Sequence, residues 1–247
     1  MDQGYADSIE NLKSMAEVWI HYVDYESRQN QLVPFISRIL KEHKCKRVLD
    51  AAAGIGFEAA CLYHEGYEVV ANELNPFLRE RMKGFLKNKK AEVKVTGFNW
   101  LEFDKRFEKE SFDAVLCLGN SLTYLLNKEA QEKAVRNFYT LLKKEGVLVI
   151  DERNYELLKK NPDVSLINRK SCYYNSSVRV KINFLREDSL ITSIGDKPSY
   201  KERYYAFKKG ELLKLLKNTG FSEVEQYSDL KKGFDPNAVF YQYVCVK

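Results

Sequence analysis

The spacing of apolar residues changes along this chain, and the changes divide it into regions. From residue 8 to residue 43, apolar side chains recur at helical spacing, as at Val18 and Trp19 and from Val33 to Leu40. This spacing predicts helices. Pro34 suits the first turn of a second helix, where the backbone needs no N–H donor. Beyond residue 44, short apolar runs alternate with amphipathic segments, which indicates strands and helices in turn.

The alternating region predicts an α/β fold with a mostly parallel sheet that helices cover on both faces. Five strands are expected, over Arg47–Asp50, Glu68–Asn72, Glu92–Gly97, Ala114–Leu118 and Val147–Asp151. Three helices are expected between them, over Phe57–Glu65, Pro76–Leu86 and Lys128–Lys143.

After Asp151 the pattern becomes predominantly that of β-strands, which predicts a small antiparallel insertion. Its strands are expected within Ser171–Leu185, Leu190–Ile194 and Tyr200–Phe207. A helix over Lys209–Asn218 should end at Gly220, because glycine readily adopts the left-handed conformation that closes helices. Two last strands are expected over Ser222–Tyr227 and Val239–Val246.

No linker, repeat or low-complexity segment separates these regions. The chain is therefore predicted to be a single domain over residues 1–247. Within it we expect an N-terminal helical lid over 1–43, a Rossmann-like core over 44–160 and 207–247, and the β insertion over 161–206.

Composition narrows the class of protein. With 247 residues, 45% of them hydrophobic and 30% charged, the chain can bury a large core without disulfides or metals. No apolar run approaches the length of a membrane span. The polar start, Met1–Tyr5, does not resemble a signal peptide, so a cytoplasmic location is expected. Five scattered cysteines predict free thiols, and no metal is expected because no histidine or cysteine pair has zinc spacing.

The formal charge of +5 comes from lysine-rich helices. Those lysines are interleaved with acidic residues, and no arginine-rich arm is present, so nucleic acid is not an expected partner. A small molecule is the expected partner, and an assembly of identical chains is left open.

A glycine turn carries the first chemical signal. The run from Val48 to Phe57 predicts a strand, a turn containing Gly54 and Gly56, and the start of a helix. Glycines there let a ligand approach the main chain closely. Glu73 ends the next strand, about 20 residues further on, which is where an acidic residue meets ribose hydroxyls in nucleotide-binding folds. The turn therefore predicts a nucleoside cofactor.

The turn alone leaves the cofactor open. A dinucleotide fingerprint has a third glycine, whereas Phe57 and Glu58 follow Gly56 here. S-adenosylmethionine, an adenosine cofactor without phosphate, needs no such glycine. A tight turn that binds nothing is the remaining alternative.

Two further strands end in polar residues, and ligands of open α/β sheets bind at the carboxyl ends of strands. Leu118-Gly119-Asn120-Ser121 ends one, and Asn99-Trp100 follows another. An aromatic ring beside an amide suits an adenine, although a tryptophan there also serves as a core anchor. These strand ends favour S-adenosylmethionine.

Together these residues resemble a class I S-adenosylmethionine-dependent methyltransferase, with a Rossmann-like sheet of seven strands whose last strand is antiparallel. More narrowly, the chain resembles the glycine N-methyltransferase and glycine/sarcosine N-methyltransferase family from about Val18 to its C-terminus. The segments that carry the resemblance are Leu118 to Ser121, Asn99 to Leu101, Val149 to Tyr155, Cys172 to Tyr174, and the N-terminal Val18-Trp19, Tyr22 and Ser27-Arg28.

The resemblance implies a set of cofactor contacts. Arg28 would pair with the carboxylate of the methionine part, and Trp19 with Tyr22 would cover that end. Ala53 and Gly54 would line the same side, while Glu73 would hold the ribose hydroxyls. The remaining cofactor-binding residues are predicted to be Asn99, Trp100, Leu118 and Tyr124.

The resemblance also implies an acceptor site for the amine of a small amino acid such as glycine or sarcosine. Asn120 and Arg153 would hold the acceptor's carboxylate, since a guanidinium binds a carboxylate in a planar fork. A structural salt bridge is the alternative for Arg153. Tyr174, with Tyr5 and Tyr204, would enclose the reaction centre, and Tyr22 is grouped with the catalytic residues.

Three departures from the family pattern limit the inference. The family usually has aspartate at the position of Glu73 and often histidine at that of Tyr124, and tyrosine does not titrate near neutral pH. The insertion from Ser176 to Ser199 matches poorly, so the acceptor is open. The alternatives are another small amine or carboxylate, a larger amine or RNA base, or a cofactor-binding protein without turnover on the same fold.

Overall fold

The computed structural model of the chain describes residues 8–161, 163–186 and 188–247, which form a large mixed sheet flanked by helices and a separate small sheet. The large sheet contains β1 (Arg47–Asp50), β2 (Glu68–Asn72), β3 (Lys94–Thr96), β4 (Phe112–Cys117), β5 (Leu142–Arg153), β9 (Glu223–Ser228), β10 (Lys231–Lys232) and β11 (Phe240–Val246). The small sheet contains β6 (Val180–Arg186), β7 (Ser189–Gly195) and β8 (Ser199–Tyr205).

The α-helices are α1 (Ile9–Tyr22), α2 (Tyr25–Ser27), α3 (Val33–Glu42), α4 (Phe57–His64), α5 (Pro76–Asn88), α6 (Phe103–Arg106), α7 (Lys128–Leu141), α8 (Tyr155–Lys160), α9 (Val164–Asn168) and α10 (Glu211–Thr219). A π-helical turn over Arg28–Leu32 joins α2 to α3, and 3₁₀ turns cover Trp100–Glu102 and Ser121–Tyr124.

The large sheet has the strand order β10-β9-β11-β5-β4-β1-β2-β3. The strands from β5 to β3 are parallel, and β11 runs antiparallel between β5 and β9. This confirms the predicted fold class, including its antiparallel last strand. The sheet has eight strands rather than seven, because the two-residue β10 (Lys231–Lys232) pairs with β9 at the edge.

Helices cover both faces of the sheet, as predicted. On one face, apolar residues of α3, α4 and α5, such as Leu62 and Met82, join a cluster with the sheet residue Val149. On the other face, Phe138 of α7 and Leu212 of α10 join a second cluster. With both faces buried, the parallel strands have the continuous apolar sequences seen in β4 and β5.

The segment between β5 and β6 departs most from the sequence prediction. A strand was expected from Ser171, but β6 begins at Val180, and only Tyr174 makes an isolated bridge, to Val23. Two short helices, α8 and α9, precede it. Their first turns are capped by side chains, because Asn154 accepts from the Leu157 N–H and Asp163 accepts from the following turn. Such local caps override the β propensity of the neighbouring residues.

Helix α1 and the small sheet are joined to each other. The Asn11 amide donates to the Lys201 carbonyl at 2.9 Å and accepts from the Lys201 N–H at 2.9 Å, so it extends the pairing of β8. The backbone N–H of Asn175 donates to the Tyr22 carbonyl at 2.7 Å. The N-terminal helix and the insertion therefore form one wall of the molecule.

In the described ranges, no helix is long and apolar enough to cross a membrane. All five cysteines are free, and four of them are buried.

Candidate functional site

The glycine turn between β1 and α4 has the backbone conformation that its sequence predicts. Gly54 and Gly56 have φ angles of 57° and 79°, in the left-handed region where a side chain is strained. A Cβ on Gly54 would lie 3.1 Å from the Trp19 indole nitrogen, and one on Gly56 would lie 2.7 Å from Met82 Cγ. The turn therefore packs directly under Trp19 of α1.

Glu73, at the end of β2, ties this turn to the next one. Its Oε2 accepts from the Gly54 N–H at 3.0 Å and its Oε1 accepts from the Asn75 N–H at 2.8 Å. Burial raises the pKa of Glu73 to about 7, and the two backbone N–H groups oppose that rise. Each carboxylate oxygen keeps a second acceptor direction, which a ribose hydroxyl can use.

Asn72, the residue before Glu73, is a structural centre that the sequence reading did not single out. It is 1% exposed, and its amide donates to the carbonyls of Ala51 and Phe98 at 3.3 and 3.1 Å. Its oxygen accepts from the Thr96 hydroxyl at 2.9 Å. One side chain thus joins the carboxyl ends of β1, β2 and β3.

Trp100 is half-buried beside this centre. Its indole N–H donates to the Ala51 carbonyl at 2.8 Å, and its ring packs edge-on to Phe138. Asn99 is exposed and caps the following 3₁₀ turn through the Leu101 N–H at 3.0 Å. The anchoring role foreseen as an alternative for Trp100 is present, and adenine contact by either residue stays a prediction.

Arg28 is buried at the first position of the π-helical turn and pairs with Glu58 of α4. The guanidinium Nη1 lies 2.6 Å from Glu58 Oε1, with both side chains 8% exposed. Burial lowers the pKa of Arg28, but the Glu58 carboxylate together with Tyr174 and Tyr173 raises it above its usual value. The second nitrogen, Nη2, is buried without a hydrogen-bond partner and lies 3.5 Å from the position of a Cβ on Gly119. Arg28 therefore keeps one free donor close to Gly119.

Asp151, near the end of β5, organises the turn after β4. It is 0% exposed and accepts from the N–H groups of Gly119 and Asn120 at 2.9 and 2.6 Å. Both donors have positive φ angles, 78° and 64°. Burial raises the pKa of Asp151 to about 6, and the two backbone donors oppose that rise. Asp151 thus holds Asn120 in a conformation that few non-glycine residues adopt.

The Asn120 side chain is engaged by the protein itself. Its Nδ2 donates to the hydroxyls of Thr123 and Tyr155 at 3.2 and 2.8 Å, and its Oδ1 accepts from the Arg153 backbone N–H at 2.9 Å. These contacts orient the main chain at Arg153. Direct contact of Asn120 with the acceptor stays a prediction.

Arg153 is 6% exposed at the end of β5. Its Nη2 donates to Asn168 Oδ1 at 3.0 Å, and its guanidinium carbon lies 4.9 Å from the centre of the Tyr174 ring and 5.1 Å from that of Phe240. In the part of the chain that the structure describes, no carboxylate forms an ion pair with it. The Asn168 Nδ2 beside it is also buried without a hydrogen-bond partner. The alternative of a structural salt bridge at Arg153 has no partner among the described residues.

Aromatic rings connect Trp19 to Arg153. Tyr22 stacks on Tyr174 with a centroid separation of 4.4 Å, and Trp19 packs edge-on to both rings at 6.1 and 6.2 Å. The Tyr174 hydroxyl donates to the Gly119 carbonyl at 2.8 Å. These predicted site residues therefore meet in one place.

The predicted residues Tyr124 and Tyr204 also meet, around a carboxyl that the sequence reading missed. Their ring centroids are 5.1 Å apart, and both hydroxyls donate to Glu202 of β8, that of Tyr124 at 2.6 Å. Glu202 is 2% exposed. The alternation along β8 puts Tyr200, Glu202 and Tyr204 on one side of the strand, which was the available signal.

Two of the remaining predicted residues border the turns. Ala53 is buried and donates its N–H to the Asn72 carbonyl at 3.0 Å, and Leu118 is 7% exposed at the end of β4. Tyr5 lies outside the described residues. Asp151, Asn168 and Glu58 are further residues that the sequence reading did not assign.

The site thus has two parts, which we name by position. The cofactor side comprises Trp19, Arg28, Gly54, Glu73 and Trp100. The acceptor side comprises Tyr22, Arg153, Asn168, Tyr174 and Glu202.

Comparison with known proteins agrees with this geometry. Residues 48–146 match the methyltransferase domain family. The chain is 28% identical over 240 residues to a glycine/sarcosine N-methyltransferase of Parasynechococcus marenigrum, covering 96% of this chain and 84% of that protein. It is 32% identical over 157 residues to glycine N-methyltransferase of Rattus norvegicus, covering 58% of this chain and 53% of that one. A methyltransferase structure from Clostridium acetobutylicum, described as S-adenosylmethionine-dependent, superposes with a TM-score of 0.72 at 16% identity, covering 91% and 92% of the two chains.

The domain match and the sheet topology define the class: the chain is an S-adenosylmethionine-dependent methyltransferase. Within that class it is similar, over nearly its whole length, to the glycine/sarcosine N-methyltransferases. The predicted cofactor and the predicted resemblance are both confirmed.

Proposed function

We propose that this enzyme transfers a methyl group to the amine of a small amino acid such as glycine or sarcosine. The observation that carries the proposal is Arg153, a buried guanidinium that forms no ion pair with a carboxylate among the described residues. A buried charge without a counter-ion is costly, and an acceptor carboxylate would supply that counter-ion. The names of the relatives that match along most of the chain point to the same acceptors.

The Arg153 surroundings suit a small carboxylate. The guanidinium lies against the adjoining rings of Tyr174 and Phe240, and Asn168 accepts a hydrogen bond from one of its nitrogens. The unpartnered Nδ2 of Asn168 offers a further donor next to it. Because charge-assisted bonds to a guanidinium are directional, such a site would orient the acceptor as well as bind it.

The cofactor side fits the methyl donor. The free Nη2 of Arg28 can bind a carboxylate such as that of a methionine moiety, and the Glu73 oxygens can accept from ribose hydroxyls. S-adenosylmethionine supplies a methyl group on a positively charged sulfur, so its leaving group is already activated. The protein's main work is then to align the acceptor nitrogen with that methyl group, and alignment alone lowers a barrier by about 7–11 kcal/mol in favourable cases.

We assign the N-terminal residues 1–43 as a lid and residues 161–206 as an acceptor-binding insertion. The contacts between Asn11 and Lys201 and between Val23 and Tyr174 support this division, because they join the two segments beside the aromatic residues of the site. Movement of one segment would therefore displace the other.

The test is methyl transfer from labelled S-adenosylmethionine to a panel of glycine, sarcosine, dimethylglycine, alanine and ethanolamine. We expect transfer to glycine or sarcosine and none to ethanolamine, which lacks the carboxylate. Arg153→Lys should raise the acceptor KM by about 100-fold, because a lysine cannot reproduce the planar, bidentate contact. The affinity for S-adenosylmethionine should change little.

Arg47→Lys is the matched control, since the Arg47 guanidinium also lies 4.9 Å from an aromatic ring, that of Phe112, at the opposite end of β1. Its KM should equal that of the wild type. Transfer to ethanolamine as fast as to sarcosine, or an unchanged KM in Arg153→Lys, would contradict the proposed acceptor. Cofactor binding without transfer to any member of the panel would indicate a binding protein instead.

A further inference from the structure

Glu202 is a buried carboxyl on the acceptor side, and the proposed function gives it no role. It projects from the inner side of β8, and both of its oxygens accept from tyrosine hydroxyls, those of Tyr124 and Tyr204. Tyr124 comes from the turn after β4, so the carboxyl connects the small sheet to the large one. Thr192 pairs with Glu202 on the neighbouring strand, and its hydroxyl is buried without a hydrogen-bond partner.

No lysine or arginine forms an ion pair with Glu202 in the ranges that the structure describes. Burial raises its pKa to about 8, the Tyr124 hydroxyl opposes that rise, and the nearby Glu73 carboxylate adds to it. A glutamate in such a place costs stability relative to an apolar residue, because only hydroxyls compensate for its lost hydration. A carboxyl that is buried at such a cost in stability is a candidate for a functional role.

Glu202 and Arg153 are both tied to the turn after β4, because Tyr124 at the end of that turn donates to Glu202 and Asn120 at its start accepts from the Arg153 N–H. Tyr22 interacts electrostatically with both groups. Burial raises the pKa of Tyr22, the charge of Arg153 lowers it, and the carboxylate of Glu202 raises it. Tyr22 stacks on Tyr174, against which the Arg153 guanidinium lies. The acceptor side thus has a cationic group and an acidic group that both act on one tyrosine pair, and a zwitterion has the matching charges.

We propose that Glu202 binds the ammonium group of the acceptor amino acid and accepts the proton that this nitrogen must lose before it is methylated. The inference rests on the proposed function, since it needs an acceptor that carries both a carboxylate and an amine. With the carboxylate at Arg153, the amine would point towards Glu202.

The proton and electron pairs balance in two steps. First, an N–H bond of the ammonium breaks and an O–H bond forms on Glu202, which leaves a neutral amine with a free electron pair. Second, that pair forms the N–C bond to the methyl group while the C–S bond breaks and its electrons stay on sulfur. The product is a methylated ammonium, and Glu202 loses its proton to water when the site opens.

The surroundings of Glu202 suit this proton transfer. Proton transfer is most efficient when the pKa values of donor and acceptor are close, and free amino groups titrate at about 8 or above. The Tyr124 and Tyr204 hydroxyls donate to Glu202, and Tyr22, Tyr200 and the Glu73 carboxyl interact with it electrostatically. Burial raises the pKa values of Tyr22, Tyr124 and Tyr200, so the two carboxyls are the groups that titrate near the amine, and of these Glu202 belongs to the acceptor side whereas Glu73 belongs to the cofactor side.

The test compares Glu202→Gln with the wild type, using sarcosine as acceptor and methoxyacetate as a competitive inhibitor. Methoxyacetate has the shape and carboxylate of sarcosine but an ether oxygen in place of the amine. Glu202→Gln should lower kcat/KM for sarcosine by about 100-fold or more, as expected for loss of an acid–base group. The inhibition constant of methoxyacetate and the affinity for S-adenosylmethionine should stay within about 3-fold of the wild type.

Glu152→Gln is the matched control. Glu152 is also buried, its pKa is also raised by burial to about 8, and it also accepts from a tyrosine hydroxyl, that of Tyr243 at 2.7 Å. Tyr243 belongs to the apolar cluster on the other face of the sheet, so Glu152→Gln should keep the wild-type kcat/KM. Glu202→Asp retains the carboxylate and should recover part of the activity that Glu202→Gln loses.

Two outcomes separate the inference from the proposed function. If the wild type transfers no methyl group to any amino acid, the proposed function fails and the inference fails with it. If the wild type methylates sarcosine and Glu202→Gln does so equally well, or if methoxyacetate binding weakens as much as sarcosine turnover, only the inference is overturned. Should Glu202→Gln fail to fold, wild-type kinetics in Glu202→Asp would overturn it in the same way, because the shortened side chain cannot reach the same nitrogen.

Discussion

The cofactor side and the acceptor side of this site are held together by different kinds of contact. On the cofactor side, the ends of β1, β2 and β3 are held together by hydrogen bonds to the main chain, as Asn72, Glu73 and Trp100 show. On the acceptor side, buried side chains from α1, β5, α9 and β8 meet, and the Arg153 guanidinium and the Glu202 carboxyl are both buried without ion-pair partners among the described residues.

The difference indicates that the fold fixes the cofactor-binding end of the sheet and allows the acceptor-binding side chains to vary. Because main-chain groups are present whatever the sequence, a sheet end held by hydrogen bonds to them can recur with the same cofactor in many proteins. Side chains contributed by an insertion can change without disturbing the sheet. We therefore expect changes on the two sides to affect different measurements, and the following predictions test that separation.

The largest effect is expected from breaking the buried ion pair on the cofactor side. Arg28→Met leaves the Glu58 carboxylate buried without a counter-ion, which should cost about 3–5 kcal/mol of unfolding free energy. Urea unfolding measures this loss. The double variant Arg28→Met/Glu58→Met should recover most of the stability, because both charges are then replaced by apolar groups.

S-adenosylmethionine binding distinguishes the two roles of Arg28. The double variant should still bind the cofactor at least about 100-fold more weakly than the wild type by calorimetry, as expected for a lost charge-assisted contact. Wild-type affinity in the double variant would show that Arg28 stabilises the fold and does not bind the cofactor.

A smaller effect is expected at Glu73. Glu73→Gln offers one acceptor oxygen where Gly54 and Asn75 both donate, so one N–H loses its partner, at a cost of about 1–3 kcal/mol. The dissociation constant of S-adenosylmethionine should rise about 10- to 100-fold, while the acceptor KM measured at saturating cofactor should not change. An equal rise in the acceptor KM would contradict the independence of the cofactor side and the acceptor side.

Stability should depend on pH through carboxyls of both sides. Burial raises the folded-state pKa of Glu73 to about 7 and of Glu202 to about 8, and it also raises that of Asp50, a buried carboxyl at the end of β1, to about 8. The folded protein therefore binds protons that the unfolded chain releases, so the stability from these groups is complete below about pH 4 and is lost as the pH rises to about 8.

Thermal unfolding between about pH 5 and pH 8 tests this, and the melting temperature should fall by several degrees across that range. Glu202→Gln removes one of the titrating groups and should flatten the fall, whereas the surface variant Glu42→Gln should not. A melting temperature that rises with pH over this window would contradict the assignment of these carboxyls as buried acids.

The smallest effects are expected at two asparagines, one near each side. Asn11→Ala removes the hydrogen bonds to Lys201 that hold α1 against the small sheet, and Asn99→Ala removes the cap of the 3₁₀ turn at Trp100. Each should cost about 0.5–1 kcal/mol of unfolding free energy. Asn11→Ala should raise the acceptor KM a few-fold with cofactor affinity unchanged, and Asn99→Ala should do the reverse. The same response from both variants would contradict the separation.

The strands of the core were predictable because their signals are local. β1 and β2 begin and end where the apolar runs do, and Gly54 and Gly56 adopt the positive φ angles that a turn at that point needs. The segment around Tyr174 was predicted as a strand and is irregular, because its one bridge is made with Val23, far away along the chain. No local pattern carries that pairing.

The same distinction applies to the site. Glu73 was identified from its position at the end of a strand, and Arg28 and Arg153 were identified through the resemblance of the segments around them to a known family. Glu202 lies in an ordinary alternating strand. Its importance comes from Tyr124 and Tyr22, which reach it from other parts of the chain.

The sequence by itself determined the order of strands and helices in the core and the glycine turn, because periodicity and turn chemistry act over a few residues, and its motifs gave the class of cofactor. The tertiary structure decided that Arg153 is buried without a carboxylate partner among the described residues and that Glu202 lies on the same side of the site. The physical reason is that burial and charge pairing depend on which distant segments meet, and here α1, β5 and β8 meet only when the chain is folded.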